Sequence, residues 1–189
     1  YNMLQCRRGI SLMHDMPEVA QICTNMADLF RYSIKGAFLV PLENELNIID
    51  KYLYMIEVRF QGRITYKLEV SENTKDCLIP KMILQPIVEN AIAHGLRNDR
   101  KKEKQLSITL ERCNSDILFA IHDNGLGMDP DECKCVLSRE NEGIGLKNIH
   151  DRLQLCYGSD YGITISSEKN VGTTVYVRLA DQIQSDHKS

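Results

Sequence analysis

Apolar positions fall at helical spacing along residues 1–60, and beyond them runs that alternate with polar residues mix with helical ones. Residues 1–13 are compatible with a short helix. The stretch DMPEVAQ carries the marks of a helix start. Asp15 can cap, Glu18 stands three positions later as in a capping box, and Pro17 suits a first turn. Val19, Ile22, Cys23, Met26, Leu29, Phe30 and Ile34 then predict a helix running to about Ile34, ended by KGAF. A third helix is predicted after Pro41. Leu42, Leu46, Ile49, Leu53, Ile56 and Phe60 recur at alternating intervals of four and three, the seam of a packed bundle. That seam suits a helical hairpin packed on its own domain and a dimerisation bundle alike; periodicity leaves both open.

After QGR the period changes. ITYKLEVS alternates as a strand does, and PKMILQPIVENAIAHGL predicts a helix opening at Pro80. LSITLERC and DILFAIHD, separated by a short polar turn, predict a hairpin. Residues 129–142 are polar, with room for a short helix, and GLKNIHDRLQLCYG is helical. YGITISSE and GTTVYVRLA predict two more strands, and the tail DQIQSDHKS is expected to fray. Strands and helices mix without a regular βαβ rhythm. The expected class is α+β, a two-layer sandwich of mostly antiparallel sheet under helices, preceded by a helical segment.

Composition narrows the function less than the fold. The 189 residues suit one domain or two small ones, and 43% hydrophobic residues supply a core. A net charge of −3 with 26% charged residues argues against a protein that wraps nucleic acid. The basic segment RNDRKKEK at 97–104 reads as a solvated connection. No apolar run approaches the roughly 20 residues that span a bilayer, and no signal peptide is visible. The first residue is Tyr1 rather than Met, so the chain is expected to be a piece of a longer protein. Seven cysteines, an odd number without a CxxC pair, point to free thiols in a reducing compartment. Cys133 and Cys135 stand too close together, with no second pair or nearby histidine, to begin a zinc site.

The candidate chemistry gathers in four places. On a wheel from Pro80 to Leu96, Ile83, Leu84, Ile87, Val88, Ala91 and Ile92 form one apolar face. Asn90, His94 and Arg97 follow one edge of it, as in the wall of a cleft, and Glu89 points away. An asparagine oxygen is a hard ligand suited to Mg²⁺, and His94 and Arg97 suit phosphate oxygens. IHDNGLGM ends a strand in a carboxylate whose neighbours are apolar. Asp123 only accepts hydrogen bonds, so an exocyclic amine such as adenine's would satisfy it, whereas guanine would set an oxygen against it. Gly125 and Gly127 let backbone approach a flat ring, and Met128 can pack on it. An ordinary strand-end turn fits DNGLGM equally well. In EGIGLKNI, Gly143 and Gly145 lead into a helix, where backbone N–H groups can cradle phosphate, and residues 129–142 suit a mobile lid. Thr173, after Gly172, can add a hydroxyl beside the adenine or simply start a strand.

The order of these elements, all within about ninety residues, is more specific than any one of them. It resembles the Bergerat-type ATP-binding fold shared by sensor histidine kinases, gyrase, Hsp90 and MutL. The resemblance implies Asn90 as a Mg²⁺ ligand and Asp123 as the adenine acceptor. It also implies Gly143, Ile144, Gly145 and Leu146 at the lid. YNMLQCRRGI, LFRYSI, LENELNIIDKYLYMIEVRF, LQPIVENAIAHG and GIGLKNIHDRLQLCYG look like LytS/YesM-type sensor histidine kinases along nearly the whole chain. In that family a phosphoacceptor histidine precedes Tyr-Asn in a His-Phe-Leu-Tyr-Asn run. The acceptor is therefore expected three positions before Tyr1, and none of His14, His94, His122, His150 and His187 has its context. Hydrolases of the wider fold carry a glutamate one turn before the asparagine to activate water. Position 86 is a proline here, which suits a phosphoryl acceptor other than water.

The resemblance thus implies the cytoplasmic kinase portion of a membrane-anchored two-component sensor. Residues 1–61 would be a helical remnant of the dimerisation region, 62–181 the ATP-binding domain and 182–189 a flexible tail. ATP and Mg²⁺ are the implied cofactors. A second copy of the chain and a response regulator are the implied partners, and membrane contact would come through upstream segments only. A slow ATP hydrolase, an anti-sigma-type serine kinase and a nucleotide-gated dimerisation module are the alternatives.

Overall fold

The computed structural model describes residues 2–13, 16–71, 74, 77–96, 103–137 and 144–181. Helices α1 (Asn2–Met13) and α2 (Pro17–Ile34) come first and pack together. Asp15, the expected cap of α2, lies outside the described residues; Met16 holds the N-cap position and makes no side-chain capping bond. After strand β1 (Leu39–Pro41) comes helix α3 (Leu42–Phe60). It ends where Gln61 turns left-handed, at a φ of 54°, and the Gln61 and Gly62 amides bond back to Val58 and Glu57. Its four-three seam is buried from Leu42 to Ile56, in one continuous core with Ile87, Leu106 and Ile108. Of the two destinations open to the seam, α3 takes the first and packs on the chain's own sheet.

Strand β2 (Ile64–Val70) follows, then β3 (Leu78–Pro80), which pairs antiparallel with β1. Here one expectation is corrected. Pro80 does not open a helix; it closes β3, opposite Leu39, and helix α4 (Leu84–Asn90) begins four residues later. The reason is non-local: Leu78–Pro80 becomes a strand because Leu39–Pro41 lies beside it. Pro86 therefore falls in the first turn of α4, where a backbone N–H has no helical partner to lose, and it need not kink the helix. Beyond Asn90 the helix widens into a π-helical stretch, Ala91–Leu96. Residues 97–102, with most of the basic connection, lie outside the described residues.

The hairpin forms as expected from β4 (Lys104–Cys113) and β5 (Asp116–Asp123), with Asn114 left-handed at the turn. A short helix α5 (Pro130–Cys135), helix α6 (Ile144–Tyr157), and strands β6 (Gly162–Glu168) and β7 (Gly172–Ala180) complete the chain. The five-stranded sheet runs β2-β4-β5-β7-β6, antiparallel except for the parallel pair β2–β4. Helices α3, α4 and α6 bury its inner face through Leu53, Ile87, Val88, Ile149 and Leu153 against Leu106, Ile108, Phe119 and Val177. The outer face carries Leu118 and Tyr176 in the open. This is the expected α+β two-layer sandwich, a mostly antiparallel sheet under helices. Among the described residues no helix is long and apolar enough to cross a membrane.

Candidate functional site

Alternation along β5 decides where its last carboxylate goes. Ile117, Phe119, Ile121 and Asp123 share the buried face, so Asp123 is delivered to the core side and is only 3% exposed. His122 is sent to the other face, where its Nδ1 lies 3.0 Å from Thr174 Oγ1. The π-helical stretch passes directly over Asp123. A Cβ on Gly95 would come within 2.6 Å of Asp123 Cγ, and one on Gly125 within 2.7 Å of Gly95 Cα. The two glycines are thus a bare crossing of two backbone segments, fixed by the Leu126 amide donating to the Gly95 carbonyl at 3.2 Å. Asp123 Oδ1 accepts the Gly125 N–H at 2.9 Å.

A cavity of about 420 Å³ opens beside this crossing, within the size range of small-ligand sites. Its walls bring together most of the residues the sequence singled out: Asn90, His94, Asp123, Gly127, Met128, Gly145, Leu146 and Thr173. Gly125 is not in the lining; its missing side chain makes room for Gly95 rather than for a ligand ring. Arg97 and Gly143 lie outside the described residues, and Ile144 opens α6 with its side chain outside them as well. Much of the expected lid, 138–143, is outside too, while α5 stands at its start.

The polar groups are arranged along the cavity. Asp123 pairs in register with Thr173 across β5 and β7. Thr173 Oγ1 sits 2.8 Å from Ser167 Oγ, which accepts the Met128 N–H at 2.8 Å and donates to the Gly172 carbonyl at 3.1 Å. Either hydroxyl can donate in the Ser167–Thr173 pair; when the Ser167 proton goes to Gly172, Thr173 donates to Ser167 and keeps its lone pairs for a donor in the cavity. Asp123 and Thr173 therefore form an acceptor end, matched to an amine. Asn90 closes α4 beside the start of α6. A Cβ on Gly145 would meet Asn90 Nδ2 at 3.4 Å, so the amide and the amino end of a fourteen-residue helix share one corner, suited to a metal–phosphate group. Leu126, Val136 and Val175 supply apolar wall between these ends. The residues present fit an adenine nucleotide with its Mg²⁺. Glu89 faces away, as the wheel predicts: it accepts from Gln85 Nε2 at 2.8 Å. Burial first, and then the Glu89 charge, push the Tyr52 phenol on α3 up to about 12.

Sequence reasoning missed Gly95, Glu132, Val136, Val175 and Ser167. A glycine inside a helical pattern is a signal that would have found Gly95. Glu132 brings a second carboxylate to the cavity while accepting the Asp129 N–H at 3.1 Å, and an acid in a polar lid segment gives no such sign.

Known proteins share the sequence and fold of this chain. The family described as histidine kinase-, DNA gyrase B- and HSP90-like ATPase matches residues 76–183, and the family described as histidine kinase matches residues 1–64. Sensor histidine kinase YesM of Bacillus subtilis is 29% identical over 180 residues, 95% of this chain and 30% of YesM. Sensor protein kinase HptS of Staphylococcus aureus is 32% identical over 171 residues, 86% of this chain and 32% of HptS. The chain thus spans about a third of the length of these curated relatives. Among solved structures, the catalytic domain of histidine kinase ThkA superposes with a TM-score of 0.57 at 18% identity, covering 76% of this chain and 94% of that one. The histidine kinase domain of a blue-light-activated kinase from Erythrobacter litoralis gives 0.58 at 15% identity, covering 95% and 82%. At such identities these two show the fold alone. The family matches go further: the chain belongs to the histidine kinase-, DNA gyrase B- and HSP90-like ATPases, as a histidine-kinase catalytic domain related to sensor histidine kinases.

Proposed function

We propose that this chain is the kinase portion of a two-component sensor of the YesM type. It binds Mg·ATP in the cavity between β5, α4 and α6 and passes the γ-phosphoryl group to a histidine imidazole on an upstream segment, for relay to an aspartate of a response regulator. The observation that carries this reading is that Asp123 and Asn90 line one cavity. Asp123 and Thr173 accept the adenine amino group, with Met128 against the ring. Asn90 holds Mg²⁺, which when bound neutralises phosphate charge, and His94, Gly145 and Leu146 stand around the phosphates. In-line positioning and charge neutralisation supply the catalysis.

Residues 1–61 form the helical part in this reading and 62–181 the nucleotide-binding part, with α3 docked on the latter. The outward side of α2 leaves Met26, Phe30 and Ile34 exposed, Ile34 by 78%, and a second copy of the chain would cover them. Two relatives of this fold support the partners: ShkA was solved in complex with AMPPNP, and ThkA in complex with the response regulator TrrA. The cytoplasm is where such a kinase portion would work.

The test is direct. The protein extended upstream to include the acceptor histidine, given labelled ATP, should yield an acid-labile, base-stable phosphoprotein. Nucleotide binding without label would instead favour a nucleotide-gated module. Asp123→Asn should weaken ATP binding by about 1–3 kcal/mol in calorimetry, because an amide donor then faces the amine; unchanged affinity would remove Asp123 from its role.

A further inference from the structure

A single buried carboxylate ties the helical hairpin to the wall of the cavity. Glu45 of α3 is 1% exposed. Its Oε1 accepts the Tyr32 hydroxyl at 2.5 Å and the Met82 N–H at 2.8 Å. Its Oε2 accepts the N–H groups of Ile83 and Leu84 at 3.1 and 3.2 Å. These amides stand at the start of α4, where the helix supplies no acceptor, so Glu45 acts as a cap brought from another helix. Met82, just ahead of α4, is held in the left-handed region at a φ of 61°, which costs a side-chain-bearing residue energy. Its N–H is gripped by Glu45, and its carbonyl accepts Arg152 Nη2 at 2.6 Å. Arg152 lies two turns along α6 from Gly145 of the cavity.

Tyr32 brings the hairpin into the same cluster. It stands in the last turn of α2, and the Lys81 ammonium lies 4.5 Å above its ring. Lys81 Nζ also donates to the Lys35 carbonyl just beyond α2, at 2.5 Å. Burial, then the bond to Glu45 and its charge, hold the phenol well above the usual tyrosine range, so the proton stays on Tyr32 and the bond stays a donated one. The end of α2, the first turn of α3 and the entry to α4 thus meet at Glu45, and the flank of α6 joins them through the Met82 carbonyl. Two of the helices involved, α4 and α6, carry Asn90 and Gly145.

We propose that Glu45 is a positioning residue that makes the placement of α4, and with it Asn90 in the cavity, depend on where α2 sits. The proposal rests on reading the cavity as a Mg·ATP site. The bland alternative is a local cap that only holds the fold. The two differ because coupling is reciprocal: if α2 biases the site, a ligand in the site must bias α2.

Hydrogen exchange with and without Mg·ATP separates them, on the chain itself and on its Tyr32→Phe and Glu45→Gln variants. In the unmodified chain Mg·ATP should slow exchange in α4 and also in the last turn of α2. Tyr32→Phe should keep the slowing in α4 but weaken that in α2 by about fivefold, the low end of ordinary coupling. Glu45→Gln turns an amide NH₂ toward backbone donors. It should lose about fivefold of the affinity that Mg²⁺ adds to ATP binding, measured against ATP in EDTA, with the EDTA affinity unchanged. Equal slowing of α2 in the unmodified chain and Tyr32→Phe, or slowing of α4 without any in α2, overturns the coupling and leaves the nucleotide site standing. Absence of any slowing in α4 and β5 overturns the site and the coupling together. If Glu45→Gln does not fold, Tyr32→Phe decides alone.

Discussion

Gly95 is the least conspicuous residue of the cavity and the one with the least freedom to change. Its Cα faces the Asp123 carboxylate and touches Gly125, so any side chain there displaces the acceptor or forces the two segments apart. Gly95→Ala should cost about 1–3 kcal/mol of stability by overpacking, and should lower ATP affinity more than tenfold by moving Asp123. Urea unfolding and calorimetry measure the two losses. Gly145→Ala provides the contrast, because its nearest neighbour would be Asn90 Nδ2 at an acceptable 3.4 Å. That variant should keep its stability or gain from the better helix former. The two ends of the cavity were legible in the sequence for the same reason. Asp123 and Asn90 sit on elements whose periodicity fixes which way each side chain points. Gly95 and Gly125 were not, since the demand for a bare backbone comes from the other strand of the crossing. The sequence offers Gly125 as a ring-contact residue, and its bareness serves the close passage of Gly95.

Helices and strands were readable wherever a local pattern ran long enough. The seam of α3, the β4–β5 hairpin and the run through α6, β6 and β7 lie where alternation and helical spacing put them. The start of α4 was not readable. Pro80 is equally suited to a first helical turn and to the end of a short strand, and only the partner strand at Leu39–Pro41 decides between them. The cap of α4 was hidden in the same way, for Glu45 comes from α3, far earlier in the chain. The end of α3 offers a cleaner case. Gln61 holds a left-handed φ of 54° on an exposed site, where its side chain adds strain without burial. Gln61→Gly should stabilise the fold by about 0.5–1 kcal/mol, seen as a higher urea midpoint with an unchanged slope. An unchanged or lower midpoint would mean that the extra freedom of glycine in the unfolded chain outweighs the relief.

Three tyrosines stand where the helices pack, and their titration reports on that packing. Tyr52 lies on α3 beside α4, Tyr157 closes α6, and Tyr32 joins α2 to α3. Burial pushes Tyr52 and Tyr157 up to about 12, aided in Tyr52 by Glu89 and in Tyr157 by Cys156, and it holds Tyr32 higher still. Each folded-state value lies above that of the unfolded chain, near 10, so the fold keeps protons that the unfolded chain releases. The contribution of Tyr52 and Tyr157 to stability is complete below pH 10 and is lost as the pH rises through about 12, and that of Tyr32 is lost higher still. Each phenol removes at most about 1.4 kcal/mol per pH unit in that window, less where water reaches the ring. Melting temperature should therefore be flat through neutrality on this account and fall steeply above pH 10, with phenolate absorbance appearing in step with unfolding. Tyr52→Phe should flatten the fall, because the ring stays buried while the titrating oxygen is gone. If phenolate absorbance instead rises smoothly near pH 10 with the fold intact, these rings are open to water, and the packing of α2, α3, α4 and α6 around them is looser than their burial describes.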